Sequence, residues 1–423
     1  MIASRPRLAF ISPLFLFPND AGGKIRTTNI LRGLKGGAFD VTLIGPATAH
    51  QQHEWADRIQ EVCDRFIPWH APLSRPRWRR ALDLLGELPV NVAADSTRAG
   101  RAAVRDALQR DRYDIAVFDF VHSAVLRPRD AGVASICFTH NVEAEIFARH
   151  AQQAKAPLMR RIWASQAAKM ERYESRELRQ FSAVIAVSER DAEYFRARYG
   201  VATVSIIPTG VDLDFFSWAE PGEMSGAVPP TAVFAGSMDS AANIDGVEYF
   251  LGDIWPRVRS RIPTARFVVV GRRPPAGLVE RGKRLPGVSF TGFVDDVRPF
   301  VHAAHAFVIP LRVGGGTRIK AFEGMALGCP VVSTSIGIEG LAVNDGEHFL
   351  RADSAEDFAA HVASLLEDAE LRRTLSRQAR TCVEDRFGHR VAAQVFEDIC
   401  LANLRPPRLD QRAPCSQTLA SSG

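Results

Sequence analysis

Short apolar runs alternate with amphipathic segments along most of the chain. Such runs are typical of strands that are buried on both faces of a parallel sheet. In the first half they begin at Leu8, Val41, Ile115, Ser135, Ala183 and Val204. In the second half they begin at Ala232, Phe267, Val288, Phe307 and Val331. Because helical segments separate them, the pattern predicts an α/β fold with two doubly wound, Rossmann-like domains that face a cleft.

A weakly periodic stretch bearing Gly and Pro separates the two halves. It predicts an N-terminal domain at 1–208, a linker at 209–230 and a C-terminal domain at 231–386. A last helical segment follows at 387–404. The Pro-, Arg- and Ser-containing tail at 405–423 is expected to be disordered.

The most informative stretch runs from Phe307 to Thr334 and reads FVIPLRVGGGTRIKAFEGMALGCPVVST. An apolar strand leads through three glycines at 314–316 into a helix. Thr317 is a good N-cap, and Gly328 followed by Pro330 is the expected stop. A glycine-rich loop before a helix presents backbone N–H groups to an anion.

Glu323 stands on the apolar stripe of this helix, since Ile319, Glu323 and Ala326 share one face. One interpretation is a surface carboxylate paired at i,i+3 with Lys320. The other is a carboxylate that binds ligand hydroxyls while the preceding loop binds phosphate. A sugar nucleotide offers both groups.

Two further positions follow strands in the first half. Gly22 and Gly23 lie at the first strand–helix junction, without the G-x-G-x-x-G spacing of a dinucleotide site. Two interpretations are open: the two glycines contact a ligand, or they only allow the chain to make a tight turn. His140 follows the strand that begins at Ser135, at the sheet edge where open α/β proteins bind ligands. The alternative for His140 is a purely structural histidine.

Composition narrows the function classes. The chain of 423 residues is 46% hydrophobic and carries a net charge of +5, without a nucleic-acid-binding motif. Its six cysteines lack C-x-x-C spacing, which indicates reduced thiols in a cytosolic protein and argues against a zinc site. Asp296, in the pair Asp295-Asp296, is interpreted as the cap of a helix that begins at Val297, in preference to a metal ligand.

The membrane signals are weak. The apolar run after Arg7 is interrupted by Pro13 and lacks a cleavage site, so no signal peptide is predicted. No run approaches the roughly 18 residues that a spanning helix needs. The segment from Arg75 to Arg80 is either a solvated helix start or a basic edge on anionic lipid. Arg160, Arg161 and Trp163 form a second such candidate.

Five motifs carry a family resemblance. GGGTRIKAFEGMALGCPVVST is similar to the pattern G-x-G-T-R-x-K-x-x-E-A-x-A, and GSMDSAANIDGVEYF, the Gly22-Gly23 junction, THNVE and IPTGVD agree in order. From Leu8 to Asn403 the chain resembles retaining GT-B glycosyltransferases of family 4 (group 1), most of all the bacterial exopolysaccharide subgroup. The resemblance implies that the last helix crosses back to the N-terminal domain.

The resemblance also implies roles. Glu323 would bind the donor ribose, Gly316 and Thr317 the donor sugar and phosphate, and Gly22 and Gly23 the diphosphate. His140 would lie near the transferred sugar. The residues that the resemblance implies are His140, Arg318 and Lys320 as catalytic and Gly22, Gly23, Gly236, Ser237, Arg272, Arg273, Gly315, Gly316, Thr317 and Glu323 as donor-binding.

The sequence departs from the family pattern at a few positions. Gly315 stands where the first Glu of E-x7-E is expected, and Ser237 and Asn243 stand where a basic pair is common. Thr209 replaces a frequent Asn. The diphosphate would then be left to Arg272, Arg273, Arg318 or Lys320.

The implied function is transfer of a sugar from a nucleotide donor to a lipid-linked polysaccharide or oligosaccharide acceptor, with retention of configuration. Front-face attack would use the leaving phosphate as proton acceptor, without a metal or other cofactor. The implied location is the cytoplasm, with peripheral contact to anionic membrane as an option. The alternatives are a non-catalytic GT-B binding module and a UDP-sugar epimerase.

Overall fold

Two parallel sheets form the framework of the chain, as the alternation of apolar runs predicts. The computed structural model describes residues 5–19, 22–70, 83–129, 132–154, 156–218, 229–313 and 319–404. The basic segment at 75–80, the loop at 314–318 and the tail at 405–423 lie outside the described residues. The domain boundaries drawn from the sequence stay a prediction.

The first sheet contains the strands β1 Arg7–Ile11, β2 Asp40–Pro46, β3 Arg65–Trp69, β4 Ile115–Asp119, β5 Ala134–Phe138, β6 Ala183–Ala186 and β7 Val204–Ile206. Their order is β3-β2-β1-β4-β5-β6-β7, and all neighbours are parallel. The order reverses between β1 and β4. The loops that leave these two strands therefore diverge and open a crevice.

The second sheet contains β8 Thr231–Ala235, β9 Arg266–Val270, β10 Val288–Gly292, β11 Ala306–Ile309, β12 Val331–Ser333 and β13 Leu350–Arg351. Its order is β10-β9-β8-β11-β12-β13, again parallel throughout. Here the reversal lies between β8 and β11. Both sheets thus repeat the doubly wound arrangement, which confirms the predicted fold class.

Helices cover the faces of both sheets. In the first half they are α1 Gly22–Leu34, α2 Ala49–Glu54, α3 Ala56–Val62, α4 Val90–Asp95, α5 Arg98–Arg110, α6 Glu143–Gln153, α7 Pro157–Leu178 and α8 Glu189–Tyr199, with a 3-10 helix at Val121–Leu126. Later helices are α9 Ala241–Tyr249, α10 Trp255–Arg261, α11 Ala276–Lys283, α12 Arg298–His302, α13 Ile319–Ala326, α14 Ala355–Glu367, α15 Ala369–Arg386 and α16 His389–Ala402. None of the described helices is long and apolar enough to cross a membrane.

The last helix returns to the first sheet, as the resemblance implies. Phe396 of α16 packs edge-on against Phe138 of β5, with ring centroids 5.2 Å apart. Glu397 accepts the backbone N–H of Ala38 at 2.6 Å. The buried Ala393 lies against α1 at Gly33. The C-terminal segment therefore completes the core of the first half.

Some elements differ from those expected. The helical run after β8 is not uniform: it consists of α9, a π-helical segment at Phe250–Ile254, and α10. Gly246 lies inside α9, where glycine suits the close packing because a Cβ would lie 3.1 Å from the Pro310 carbonyl oxygen. The sequence pattern did not predict β3. This strand lies at the edge of the sheet and pairs only with β2, so it tolerates Arg65 and Pro68, which interrupt the apolar pattern.

The predicted helix start near Asp296 is close to the observed one. α12 begins at Arg298, one residue later than expected. Asp296 Oδ1 accepts the Arg298 backbone N–H at 2.9 Å, and the same carboxylate forms an ion pair with the Arg298 guanidinium. This carboxylate therefore serves the helix end, which agrees with the capping interpretation.

We expect Gly33→Ala to destabilise the fold, although Gly→Ala inside a helix ordinarily stabilises it. A Cβ at residue 33 would lie 2.2 Å from the Ala393 Cβ, so α1 and α16 must separate. The cost should be about 1–3 kcal/mol, measured as a shift of the urea unfolding midpoint.

The control is Gly277→Ala on α11, where a Cβ would meet no described atom within 4 Å. It should be neutral or stabilising. Adding Ala393→Gly to Gly33→Ala should recover most of the loss. An unchanged midpoint for Gly33→Ala would show that the two helices are not in tight contact.

Candidate active site

The candidate site begins where the first sheet reverses its strand order. The register pairs Ile11 of β1 with Phe118 of β4, so the next residues of both strands are neighbours. Ser12 Oγ donates to Asp119 Oδ2 at 3.3 Å. The loops that leave the two strands open the crevice in which open α/β sheets bind ligands.

Asp119 joins three segments of the first half. Its carboxylate is fully buried and accepts Thr27 Oγ1 of α1 at 3.1 and 3.0 Å. His140 Nε2, which follows β5, donates to Oδ1 at 2.7 Å. Because a carboxylate only accepts, Nε2 carries the proton and Nδ1 keeps a lone pair. These donors offset the cost of burying the charge.

His140 is neutral in this environment. Burial lowers the pKa of its imidazole, and Asp119 opposes that shift. The positive charge of Arg26 lowers the pKa further. A neutral imidazole with a fixed tautomer orients its neighbours and accepts at Nδ1, where it does not carry a proton.

Arg26 of α1 lies beside that lone pair. Its Nη1 is 3.5 Å from His140 Nδ1, and only 7% of the residue is exposed. Burial lowers its pKa to about 10, against the charges of Asp191 and Asp119, so it stays a cation near neutral pH. Its Nε–H has no partner among the described residues. A guanidinium with an unused donor is suited to an anionic ligand.

Phe120 links the glycine junction to His140. Its φ of 61° is rare for a residue with a side chain and is typical of functional sites. Its ring stacks on His140 with centroids 4.0 Å apart. A Cβ at Gly23 would lie 2.5 Å from Phe120 Cζ, whereas one at Gly22 would meet no described atom within 4 Å. Gly23 thus has a packing role, and Gly22 faces open space.

The segment that carries His140 is held by a buried carboxylate. Glu174 of α7 accepts the backbone N–H groups of Glu143 and Ala144 at 2.9 Å each and the Tyr199 hydroxyl at 3.0 Å. It therefore caps α6, which has no side-chain cap of its own. Burial raises the pKa of Glu174 to about 8, against the effect of these donors.

Lys320 marks the corresponding crevice of the second sheet. Its Nζ donates to Asn243 Oδ1 at 2.8 Å and lies 4.7 Å from the ring centroid of Phe234. A Cβ at Gly236 would lie 3.0 Å from this ammonium. Asn243 also donates to the Ser237 carbonyl at 2.8 Å. Asn243 therefore holds a lysine at the position where the family commonly has a cation of its own.

Glu323 lies one turn further along α13. It is half-buried, and its carboxylate forms no hydrogen bond with the described residues. Burial raises the pKa of its carboxyl, and Lys320 opposes this shift. Lys320 donates a hydrogen bond to Asn243. It is therefore more than the surface partner of Glu323 that the i,i+3 interpretation describes. The carboxylate is available to ligand hydroxyls.

Arg272 and Arg273 follow β9 near Ser237. Arg272 Nε lies 3.2 Å from Ser237 Oγ and forms an ion pair with Asp239 at 3.1 Å. Arg273 has a φ of 54° and also pairs with Asp239, at 3.3 Å. Both side chains are largely exposed. Arg272 is the one that reaches the Gly236–Ser237 turn.

Part of the predicted site lies outside the described residues. These residues are Gly315, Gly316, Thr317 and Arg318. Their assigned roles stay predictions. The described part brings Gly22, Gly23 and His140 together in the first crevice, and Gly236, Ser237, Arg272, Lys320 and Glu323 in the second.

Charged residues that follow strands of the two sheets influence each other. Arg190 begins α8 after β6, and Glu339 follows β12 of the other sheet. The pKa of Arg190 is raised chiefly by its hydrogen bond to Glu145, and in smaller part by the negative charge of Glu339. A charge that follows β6 of the first sheet and one that follows β12 of the second are therefore within electrostatic range of each other.

A possible cation-binding group of side chains lies away from the cleft. Among the described residues, Asp212, Asp214 and His389 place their ligand atoms within 4.8 Å of one another. Asp214 pairs with Arg390 at 3.1 Å, and Asp212 accepts backbone N–H groups. These carboxylates already have structural partners where the linker meets α16.

Comparison with known proteins identifies the family. A family model described as "Glycosyltransferase Family 4" matches residues 21–215, and one described as "Glycosyl transferases group 1" matches residues 229–368. Together they cover most of the chain and both crevices. The chain belongs to the group 1 glycosyltransferases.

Solved structures show the same fold for this glycosyltransferase. Sucrose-phosphate synthase from Thermosynechococcus elongatus aligns with a TM-score of 0.63 at 19% identity, covering 94% of this chain and 100% of that one. Anabaena HepE, in complex with UDP and glucose, also gives 0.63, at 15% identity and the same coverage. The GT-B class expected from the motifs is confirmed.

A curated relative is the phosphatidyl-myo-inositol mannosyltransferase of Mycolicibacterium smegmatis. It is 28% identical over 217 residues, which are 50% of this chain and 55% of the relative. The chain spans about half the length of the curated relatives that it matches.

Sequence reasoning missed several residues of this candidate site. Asp119 ends the apolar run that begins at Ile115, and a carboxylate at that position is the same signal that selected His140. Arg26 and Glu174 gave no such signal, because each lies inside a helix among other charged residues. Only the folded chain shows that they converge on the segment around His140.

We expect Asp119→Asn to lower the pKa of His140 further, because the variant removes the charge that opposes burial. One buried donor should also lose its acceptor, at a cost of about 1–3 kcal/mol. The measurement is an NMR titration of the His140 imidazole.

The control is Asp95→Asn: Asp95 lies 2.5 Å from His122 Nδ1 and raises the pKa of His122 against burial. That variant should lower the pKa of His122 and shift His140 little. Equal titration of His140 in Asp119→Asn and the wild type would contradict the contact.

We expect Glu174→Gln to flatten the pH dependence of stability. The raised pKa means that the folded chain binds this proton more tightly than the unfolded chain does. The wild type therefore loses stability as the pH rises from about 4.5 to about 8. The measurement is the urea midpoint across that range. Glu171→Gln on the same helix should keep the wild-type slope, and a persistent slope in Glu174→Gln would exclude Glu174 as its source.

Proposed function

We propose that the chain transfers a sugar from a nucleotide donor to a glycan acceptor, with retention of anomeric configuration. The observation that supports this best is Glu323, a half-buried carboxylate without a hydrogen-bond partner among the described residues, one turn from Lys320. A ribose offers two adjacent hydroxyls as donors to such a carboxylate. In this proposal the ammonium of Lys320 binds the neighbouring diphosphate.

In this proposal the opposite crevice also acts on the leaving group of the donor. Arg26 brings a positive charge and an unused Nε–H close to the neutral His140. Fixed donors and cations stabilise the negative charge that develops on the departing diphosphate. We propose front-face attack, in which a phosphate oxygen takes the acceptor proton. A covalent sugar adduct on a carboxylate would contradict this mechanism.

The proposed donor is a UDP- or GDP-sugar. HepE is solved with UDP and glucose, and the Mycolicibacterium relative is named as a mannosyltransferase. A role in building exopolysaccharide or another cell-surface glycan, on a lipid-linked acceptor, fits the subgroup that the motifs resemble. No metal or further cofactor is part of the proposal.

Peripheral membrane contact is a second part of this proposal. Leu158 and Met159 are exposed at the start of α7, next to the exposed Arg160 and Arg161. Trp163 is less available, since its ring lies 4.9 Å from that of His150. Apolar and basic side chains together suit an anionic bilayer surface.

The competing function is a GT-B module that binds a nucleotide or glycan without turnover. It is favoured by Gly315 in place of the first Glu of E-x7-E and by the missing basic pair. The hydrogen bond between Asn243 and Lys320 weakens that argument, because it retains a cation at the Gly236 turn.

The test is release of nucleoside diphosphate from a panel of UDP-, GDP-, ADP- and dTDP-sugars. We expect release from one donor class, and Glu323→Ala should weaken it about 10- to 100-fold through lost charge-assisted hydrogen bonds. Glu280→Ala, an exposed carboxylate on α11 that pairs with Lys283, is the control and should match the wild type. Nucleotide binding, seen as thermal stabilisation, without release even when glycan acceptors are added would support the binding module.

A further inference from the structure

A basic pocket lies on the first half of the chain, outside the cleft. It has a volume of about 760 Å³ and lies between α5, the end of the 3-10 helix and the C-terminal part of α7. We call it the arginine pocket, because its described lining includes Arg101, Arg105, Arg127, Arg129 and Arg176. Glu177 is the one acidic residue of that described lining.

The arginine pocket is separate from the candidate active site. Arg127 donates to the Gln180 carbonyl and side chain at 2.8 Å each, just before β6, and to Ser135 at 3.4 Å, near the start of β5. The pocket therefore lies toward the amino ends of these strands. The residues around His140 lie at the carboxyl ends.

The positive charge of the pocket is only partly neutralised. Arg176 pairs with Glu177 at 2.9 Å, and Arg105 lies 3.6 Å from Asp106. Arg101 donates to the neutral Ser96 hydroxyl at 2.6 Å. Arg127 has neutral partners, and Arg129 forms no hydrogen bond or ion pair with the described residues. Clustered like charges repel, so the arrangement is stabilised by an anion.

Tyr173 supplies a second and independent observation. It lines the pocket, is 4% exposed, and its hydroxyl has no hydrogen-bond partner among the described residues. The Arg176 guanidinium lies 5.7 Å from the centroid of its ring. Burial raises the pKa of the Tyr173 hydroxyl, so it remains a donor. Buried polar groups are normally satisfied, and an unsatisfied one indicates a missing partner.

We propose that the arginine pocket binds a phosphate-bearing ligand, with a diphosphate bridging several guanidinium groups. Planar guanidinium groups match phosphate oxygens in pairs, which makes arginine the preferred partner of such groups. The volume exceeds that of a phosphate alone. Leu88, Ala124 and Val125 add an apolar wall that suits an attached organic or lipid moiety. The ligand is either free in solution or the headgroup of an anionic lipid.

The first test is calorimetric titration of the full chain with inorganic pyrophosphate. We expect binding that falls at least tenfold in Arg101→Gln/Arg129→Gln. The control is Arg110→Gln/Arg172→Gln, which removes the same charge from α5 and α7 outside the pocket and should bind as the wild type does. The titration is repeated in Lys320→Ala, because the cleft also binds diphosphate if the proposed function holds. Pocket binding should persist there.

Tyr173→Phe separates a ligand contact from a structural role. Removing the unpartnered hydroxyl should weaken binding and leave the midpoint of thermal unfolding unchanged or higher. A lower midpoint together with unchanged binding would show that the hydroxyl acts only in the fold, and would count against the proposal.

Vesicles identify the source of the phosphate. Phosphatidylcholine vesicles are compared with vesicles that also contain phosphatidic acid. Binding to the anionic vesicles that is lost in Arg101→Gln/Arg129→Gln assigns the pocket to a lipid headgroup. Pyrophosphate binding without vesicle binding assigns it to a free ligand. The proposal is overturned if the wild type binds neither pyrophosphate nor anionic vesicles. It is also overturned if Arg101→Gln/Arg129→Gln binds both probes as tightly as the wild type does.

Discussion

The buried carboxylate of Asp119 is the interaction on which the first crevice depends. It lies at the end of β4 and is hydrogen-bonded by Ser12 after β1, Thr27 on α1 and His140 after β5. A buried charge is tolerated only where such donors surround it. The three segments therefore hold one relative position. His140 keeps one tautomer, and Arg26 faces its free nitrogen.

Glu323 in the second half presents the opposite case. Burial raises the pKa of its carboxyl, but none of the described residues donates a hydrogen bond to that carboxyl group. The Asp119 carboxylate is fully hydrogen-bonded and holds neighbouring segments together. The Glu323 carboxyl has no such donors, which is why the proposed ribose contact is assigned to it. The same contrast applies to Arg26, whose unused Nε–H lies beside the saturated network around Asp119.

The sequence predicted those parts of the fold that depend on local pattern. Buried strands such as β4 and β5 are continuous apolar runs, and the helix start predicted at Val297 lies one residue from the observed start of α12. The edge strand β3 was missed because Arg65 and Pro68 break its pattern. The sequence also did not show which residues have a role in tertiary packing. Gly22 and Gly23 are adjacent glycines that the sequence does not distinguish. In the structure they differ because the ring of Phe120 packs against Gly23, whereas no described atom lies where a Cβ of Gly22 would be.

Phe120 also joins the active-site crevice to the arginine pocket. The 3-10 helix at Val121–Leu126 begins directly after it and leads to Arg127 in the pocket. The φ of Phe120 is strained, and its ring is held between Gly23 and His140, so the start of this short element is fixed by the site. The residue that stacks on His140 and the residue that lines the arginine pocket therefore stand at the two ends of one short element.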